Sequence, residues 1–236
     1  MVQAPPRWTT YRVPDTLPDD TEESVVGTEW HQEAISALTD MLREAARRHG
    51  ATWHACNQIA ITGLRHTDGH PYDPRPDVMV LTRPLPSGAI SSIALDDAGA
   101  PLLVAEVASR STVNDDVDEK RRAYEAIGVQ EYMVFDPGLG LLAPSLRAWR
   151  LVHGAYIPWS AETDGSWHSS ALEVSIVATQ PILGVRDRTG RDIDPPRRAW
   201  ERVDELEQRV RAVDKLEQRV RDLEDDVRRL REQPDP

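Results

Sequence analysis

Glu106 stands inside the apolar run Leu102 to Ala108, and Asp77 opens a second run, Val78 to Leu81. A carboxylate within a buried strand is costly unless it is paired or bound to a metal ion. If the two runs are neighbouring strands, two carboxylates meet at one spot, the donor set that a hard, oxygen-seeking cation such as Mg2+ takes. Further along, Asp116, Lys120 and Tyr124 follow one another at intervals of four, so on a helix they share one face and Lys120 points at the carboxylates. Composition singles out the same lysine. The chain has 28 basic residues, of which only Lys120 and Lys215 are lysine. An ammonium is a compact charge that can lose its proton, whereas a guanidinium cannot. Two acids, a metal and an amine together suit metal-assisted hydrolysis, with an activated water and a counter-charge for the transition state.

Each residue also has a plainer reading. Asp77 follows a proline and serves equally as a strand-start residue, and Glu106 could be half of a structural ion pair. Asp116 with Lys120 could be an ordinary i,i+4 helix pair worth a few tenths of a kcal/mol. Tyr124 reads as packing or as a hydrogen-bond partner behind the site, and a lone histidine such as His31 is most simply structural. Asp136-Pro137 reads as a strand terminator, Cys56 as a small buried apolar residue, and Gly138-Leu139-Gly140 lacks any phosphate-loop context.

The elements that would position these groups are legible in outline. Residues 1–24 are rich in proline and acids and show no period, so they read as a flexible arm. From a cap at Thr28, Trp30, Ile35, Leu38, Met41, Leu42 and Ala45 recur at helical spacing until Gly50. Residues 52–62 alternate as one strand, and 65–76, with Gly69 and three prolines, form a loop. Two buried strands, 77–82 and 101–109, precede a turn and helix start over 109–116 and a helix that continues to Gly128. A strand at 131–137, a hairpin over 145–159 and an edge strand at 172–177 follow. This order is α/β, a sandwich built on a mixed sheet.

Beyond Pro195-Pro196 the composition changes. Val203, Leu206, Val210, Val213, Leu216, Val220, Leu223, Val227 and Leu230 form a heptad seam with one skipped step at Val213. Residues 199–232 therefore read as a coiled-coil helix that joins two copies in a homodimer. The alternative is a helix folded back on its own domain.

Charge and cysteine content narrow the function. Lysine and arginine total 28 against 40 acids, for a net charge of −12. That balance argues against a generic nucleic-acid binder, whose surface is basic. Any phosphate contact would rest on a local patch around Arg75, Arg110, Arg121 and Arg122, or on a protein partner. One cysteine excludes an internal disulfide framework. No apolar run approaches the roughly 20 residues of a membrane helix, and no signal-type segment opens the chain, so a cytoplasmic protein with no membrane partner is expected.

The segment PRPDVMVL, followed by APLLVAEVASRSTVNDDVDEKRRAYEAIGVQEYMVFDP, resembles the Uma2 family of restriction-endonuclease-like proteins within the PD-(D/E)xK nuclease superfamily. The resemblance runs from about Thr28 to Val185 and is densest from Pro76 to Pro137, giving a nuclease domain over 25–195. It implies a restriction-endonuclease-like core, a mixed sheet flanked by helices, in which Asp77 and Glu106 hold Mg2+ or Mn2+ and DNA is the substrate. The superfamily lysine usually stands two residues after the second acid, where this chain has Ala108. In Uma2-like sequences it lies on the following helix, at Lys120 here. Asp116 would support Lys120, and His31 matches a histidine often seen on the family's first helix. A second functional class stays open: a non-catalytic member that keeps the fold and works as a regulatory or coiled-coil interaction module.

Overall fold

The computed structural model describes residues 23–66, 69–85 and 90–195, together with Arg219. Residues 1–22 of the expected arm and all nine seam residues lie outside the described residues, whereas residues 23 and 24, read as arm, belong to a helix. The first compact unit ends at Asp194.

Helix α1 (Glu23–His49) begins five residues before Thr28, so Thr28 lies within it rather than capping it. Ala34, Ile35, Leu38, Met41, Leu42 and Ala45 are buried along one stripe. Gly50 stops the helix at φ 62°, and the amides of Gly50 and Ala51 return to the carbonyls of Arg47 and Ala46, a Schellman closure.

Six strands then form one sheet in chain order: β1 (His54–Asn57), β2 (Val78–Leu81), β3 (Leu103–Val107), β4 (Glu131–Phe135), β5 (Leu146–Val152) and β6 (Ala155–Pro158). Only β3 and β4 run parallel; the other neighbours are antiparallel. A parallel pair needs a crossover, and helices α2 (Val113–Val117) and α3 (Glu119–Ala126) supply it. The expected single helix is broken at Asp118, whose φ of −121° with ψ of −71° departs from helical geometry. Gly128 at φ 83° ends α3, with the amides of Gly128 and Val129 reaching back to Glu125 and Tyr124.

Both faces of β2, β3 and β4 are covered, which is why these strands read as continuous apolar runs. Alternation divides them. Val78, Val80, Leu103, Ala105 and Met133 face α1, while Met79, Val104, Tyr132 and Val134 face the crossover through Val113 of α2, Tyr124 of α3 and Val129 beyond it.

Three further expectations need correction. The strand over 52–62 is two pieces. Gln58 adopts φ 52°, which turns Ala60–Thr62 out of the main sheet to pair in parallel with Ser92–Ala94. The loop over 65–76 contains a short ladder, Leu64–Arg65 with Pro71–Tyr72. Val174–Val177 is not an edge strand. It lies inside a second, four-stranded antiparallel sheet between Ser166–Ser169 and Gly184–Arg186, with Asp192–Ile193 beyond. Strands of two to four residues carry too few alternations to be visible in sequence, and this sheet is packed by Val174, Ile176, Val185 and Ile193 on the α1 side of the core. No described helix is long and apolar enough to cross a membrane.

Asp136 does more than terminate β4. It is buried, and its carboxylate accepts the amides of Gly138 (3.0 Å), Leu139 (2.7 Å), Leu141 (2.6 Å) and Leu142 (3.0 Å), shaping the loop into β5. Asp136→Ala strands four donors, two of them in buried bonds. Urea denaturation should show a loss of roughly 3–5 kcal/mol, since bonds to a charged acceptor contribute about 1.5–3 kcal/mol each and water can replace part of the set.

Candidate active site

Strand register brings the two acids together. Val78 pairs with Ala105, and one further step sets Asp77 opposite Glu106 at the end of the β2–β3 pair. The backbone locks them there: the Val107 amide donates to Asp77 Oδ2 at 2.8 Å, and the Asp77 amide donates to Glu106 Oε2 at 3.3 Å. Pro76, immediately before Asp77, uses its carbonyl to accept the amide of the left-handed Gln58 at 3.0 Å.

Helix α3 supplies the amine. Lys120 Nζ lies 3.0 Å from Glu106 Oε2 and 2.8 Å from Asp116 Oδ1. Asp116 belongs to α2, so this pair spans the break at Asp118 instead of lying along one continuous helix. Tyr132 holds Asp116 in place, its hydroxyl donating to the Asp116 carbonyl at 2.6 Å. One turn beyond Lys120, Tyr124 donates its hydroxyl to Glu106 Oε1 at 2.8 Å. His31 arrives from α1, with Nε2 at 3.5 Å from Asp77 Oδ2. All six residues singled out in the sequence therefore lie in one chain of contacts.

Depth differs sharply across this chain. The side chains of Glu106 and Asp116 are 0% and 1% exposed, whereas Lys120 and Asp77 are 16% and 15% exposed. The cluster is buried at its floor and opens where the lysine and Asp77 sit. Burial, with Asp116 and Asp77 adding their charge, pushes the Glu106 carboxyl up to about 8 against the opposing pull of Lys120 and Tyr124. Burial likewise raises Asp116 despite Lys120. Burial alone would lower Lys120, but Glu106 and then Asp116 outweigh it and hold the ammonium above its ordinary value. The hydrogen bond to Asp77 raises His31 against its own burial. Lys120 is thus firmly charged, and three carboxylates share too few cations.

Three of the four arginines expected to contact phosphate make contacts within the domain. The Arg121 guanidinium lies 5.9 Å from the centre of the Trp149 ring, and Arg122 pairs with Asp118 at 2.7 Å. Arg75 donates to the Gln58 carbonyl at 3.3 Å. Sequence reasoning missed Tyr132, whose polar role is invisible in a run of buried strand residues. It also missed Tyr72, which falls in the segment read as loop yet lies within electrostatic reach of Lys120 and Glu106.

The sequence model of the Uma2 family, described as "Putative restriction endonuclease", matches residues 19–179, more than half of the chain. The chain belongs to the Uma2 family. The matched segment of this Uma2 protein contains all six residues of the cluster. Among solved structures, the chain is similar to one described as a "putative nuclease belonging to DUF820 from Anabaena variabilis ATCC 29413", at 14% identity and a TM-score of 0.39. The alignment covers 55% of this chain and 66% of that one, just under two thirds of the other protein's length. No curated protein matches the chain.

Proposed function

We propose that this Uma2 protein is a metal-dependent endonuclease that hydrolyses phosphodiester bonds in DNA, with Asp77 and Glu106 as metal ligands and Lys120 as the catalytic cation. The observation that carries the reading is that Glu106 Oε2 accepts the Asp77 amide and pairs with Lys120 beside partly exposed side chains, within the segment matched by the family. The donor set suits Mg2+ or Mn2+. Among the described residues no three His, Cys, Asp or Glu side chains surround one point. Mg2+ seldom asks for that, since it binds through one or two carboxylates and fills its other positions with water and substrate phosphate. Asp77, Glu106 and Asp116 gather around the single ammonium of Lys120, an excess of carboxylate that a divalent cation would balance.

A bound divalent cation supplies an activated water near neutral pH and a counter-charge for the phosphorane-like transition state. The chain's own residues do the rest. Asp77, fixed by the Val107 amide, and Glu106, fixed by Tyr124, hold their carboxylates without needing to reorganise. Lys120 uses two of its three N–H groups on Glu106 and Asp116, which leaves one for a phosphate oxygen. His31 orients Asp77 from the α1 side. Plasmid and circular single-stranded DNA incubated with the purified protein in Mg2+, Mn2+ or EDTA test this directly: cleavage of at least one of the two in either metal and none in EDTA is expected, and both substrates intact throughout would overturn it.

The seam from Val203 to Leu230 supports a homodimer. Nine aliphatic side chains are buried only if another helix meets them, and at about 25 cal/mol per Å2 that burial suffices for association at micromolar concentration. Valine at a with leucine at d suits two parallel strands, which would set two nuclease domains side by side for the two strands of a duplex or for two single strands. Light scattering should give a dimer for the full chain and a folded monomer once residues 199–236 are removed. A full-length monomer at tens of micromolar would refute the dimer.

A further inference from the structure

The short ladder formed by Leu64–Arg65 and Pro71–Tyr72 is tied to the site. His66, at its turn, contacts Glu119 Oε1 through Nδ1, and Glu119 immediately precedes Lys120. The His66 ring in turn packs on Tyr72, with centroids 4.2 Å apart and planes at 46°. Tyr72 is half-buried, and burial, aided by Glu119, Glu106 and Asp115 and opposed by Lys120, raises its phenol to about 12. A pair of rings is therefore tied by a side-chain bond to the helix that carries the amine.

The charges around this pair make ordinary backbone recognition weak. Arg65 donates to the Gly69 carbonyl at 2.9 Å, Arg75 to that of Gln58, and Arg122 pairs with Asp118, while Asp115 and Glu119 add negative charge. A protein of net charge −12 gains little from releasing the counterions of a duplex. Stacking on a base face does not depend on that release. In a duplex, however, each base face is already covered by its neighbours, and only an unpaired base offers one.

We propose that the His66–Tyr72 ring pair is a nucleobase-stacking platform next to Lys120, and that the strand this protein engages is unpaired. The inference rests on the reading of the site as a phosphodiesterase and adds the class of substrate. Tyr72 is a binding residue in this scheme, and Glu119 positions it through His66.

The test uses the full chain in EDTA, so that nothing is cut, with a fluorescein-labelled oligothymidylate and a duplex of equal length, read by anisotropy. The single strand should bind roughly tenfold or more tightly than the duplex. Tyr72→Ala should lose about tenfold, and Tyr72→Phe, which keeps the ring, should retain wild-type affinity. Between 50 and 200 mM salt the affinity should fall by less than about tenfold, against the roughly 10³–10⁵-fold of a protein that neutralises many phosphates. Equal affinity of wild type and Tyr72→Ala, a preference for the duplex, or a steep salt dependence would each overturn the platform. The two readings fail separately. Tyr72-dependent binding without cleavage on adding Mg2+ or Mn2+ would sink the nuclease and leave the platform, and unaltered single-strand cleavage by Tyr72→Ala would do the reverse.

Discussion

Lys120→Arg should fold normally and cleave at no more than about one per cent of the wild-type rate, close to Lys120→Ala. Removing one preorganised charge from a transition state typically costs about 10²–10³-fold, and the same loss is expected for Asp77→Asn. Arginine keeps the charge and loses the compact shape. Lys120 places a compact ammonium in a corner where Glu106 Oε2 is 3.0 Å away and Asp116 Oδ1 is 2.8 Å away. A planar fork of five donors cannot converge on that corner and still leave a donor aimed at substrate. Initial rates on plasmid, with circular dichroism to confirm folding, decide the matter. Full activity in Lys120→Arg would show that any cation serves and that the amine is incidental.

The acids and the amine were readable because buried strands tolerate few interruptions. Glu106 in an otherwise apolar run and a solitary lysine in an arginine-rich domain are violations of local pattern, and such violations mark places where sequence and burial conflict for a reason. Their meeting point was harder to read, since it depends on a register, Val78 opposite Ala105, that no residue announces. The break at Asp118 shows the limit from the other side. Helical spacing put Asp116, Lys120 and Tyr124 on one face, and the contacts do form, yet across two helices; a periodicity of four does not distinguish one helix from two in near-continuation. The second sheet was hidden for a different reason. Its strands pair over two to four residues and depend on burial against α1, so their stability is tertiary and leaves only a faint local trace. The same holds for Tyr72, which reaches the site through a ladder of two residue pairs.

Glu106→Gln should separate stability from activity. In EDTA its melting temperature should equal or exceed that of wild type, while cleavage falls by about 10²–10³-fold. Wild-type folding puts Glu106 in a fully buried place beside Asp77 and Asp116, where its carboxyl is raised to about 8, so near neutral pH folding must either protonate it or bury its charge. Either route opposes folding by roughly 1–3 kcal/mol, the price of a buried carboxylate that its partners only partly offset. Glutamine removes that opposition and still meets the local bonding pattern. Its oxygen can accept from the Asp77 amide and Lys120 where Oε2 does now, and its amide can donate to the Tyr124 oxygen once that hydroxyl turns. Mg2+ or Mn2+ should raise the wild-type melting temperature and leave Glu106→Gln nearly unmoved, because a ligand stabilises only the state that binds it. Differential scanning fluorimetry of both proteins, with metal and with EDTA, reads all four values. A large fall in stability for Glu106→Gln in EDTA would mean that the charged Glu106–Lys120 pair holds the fold together, and the site would then be structural before it is catalytic.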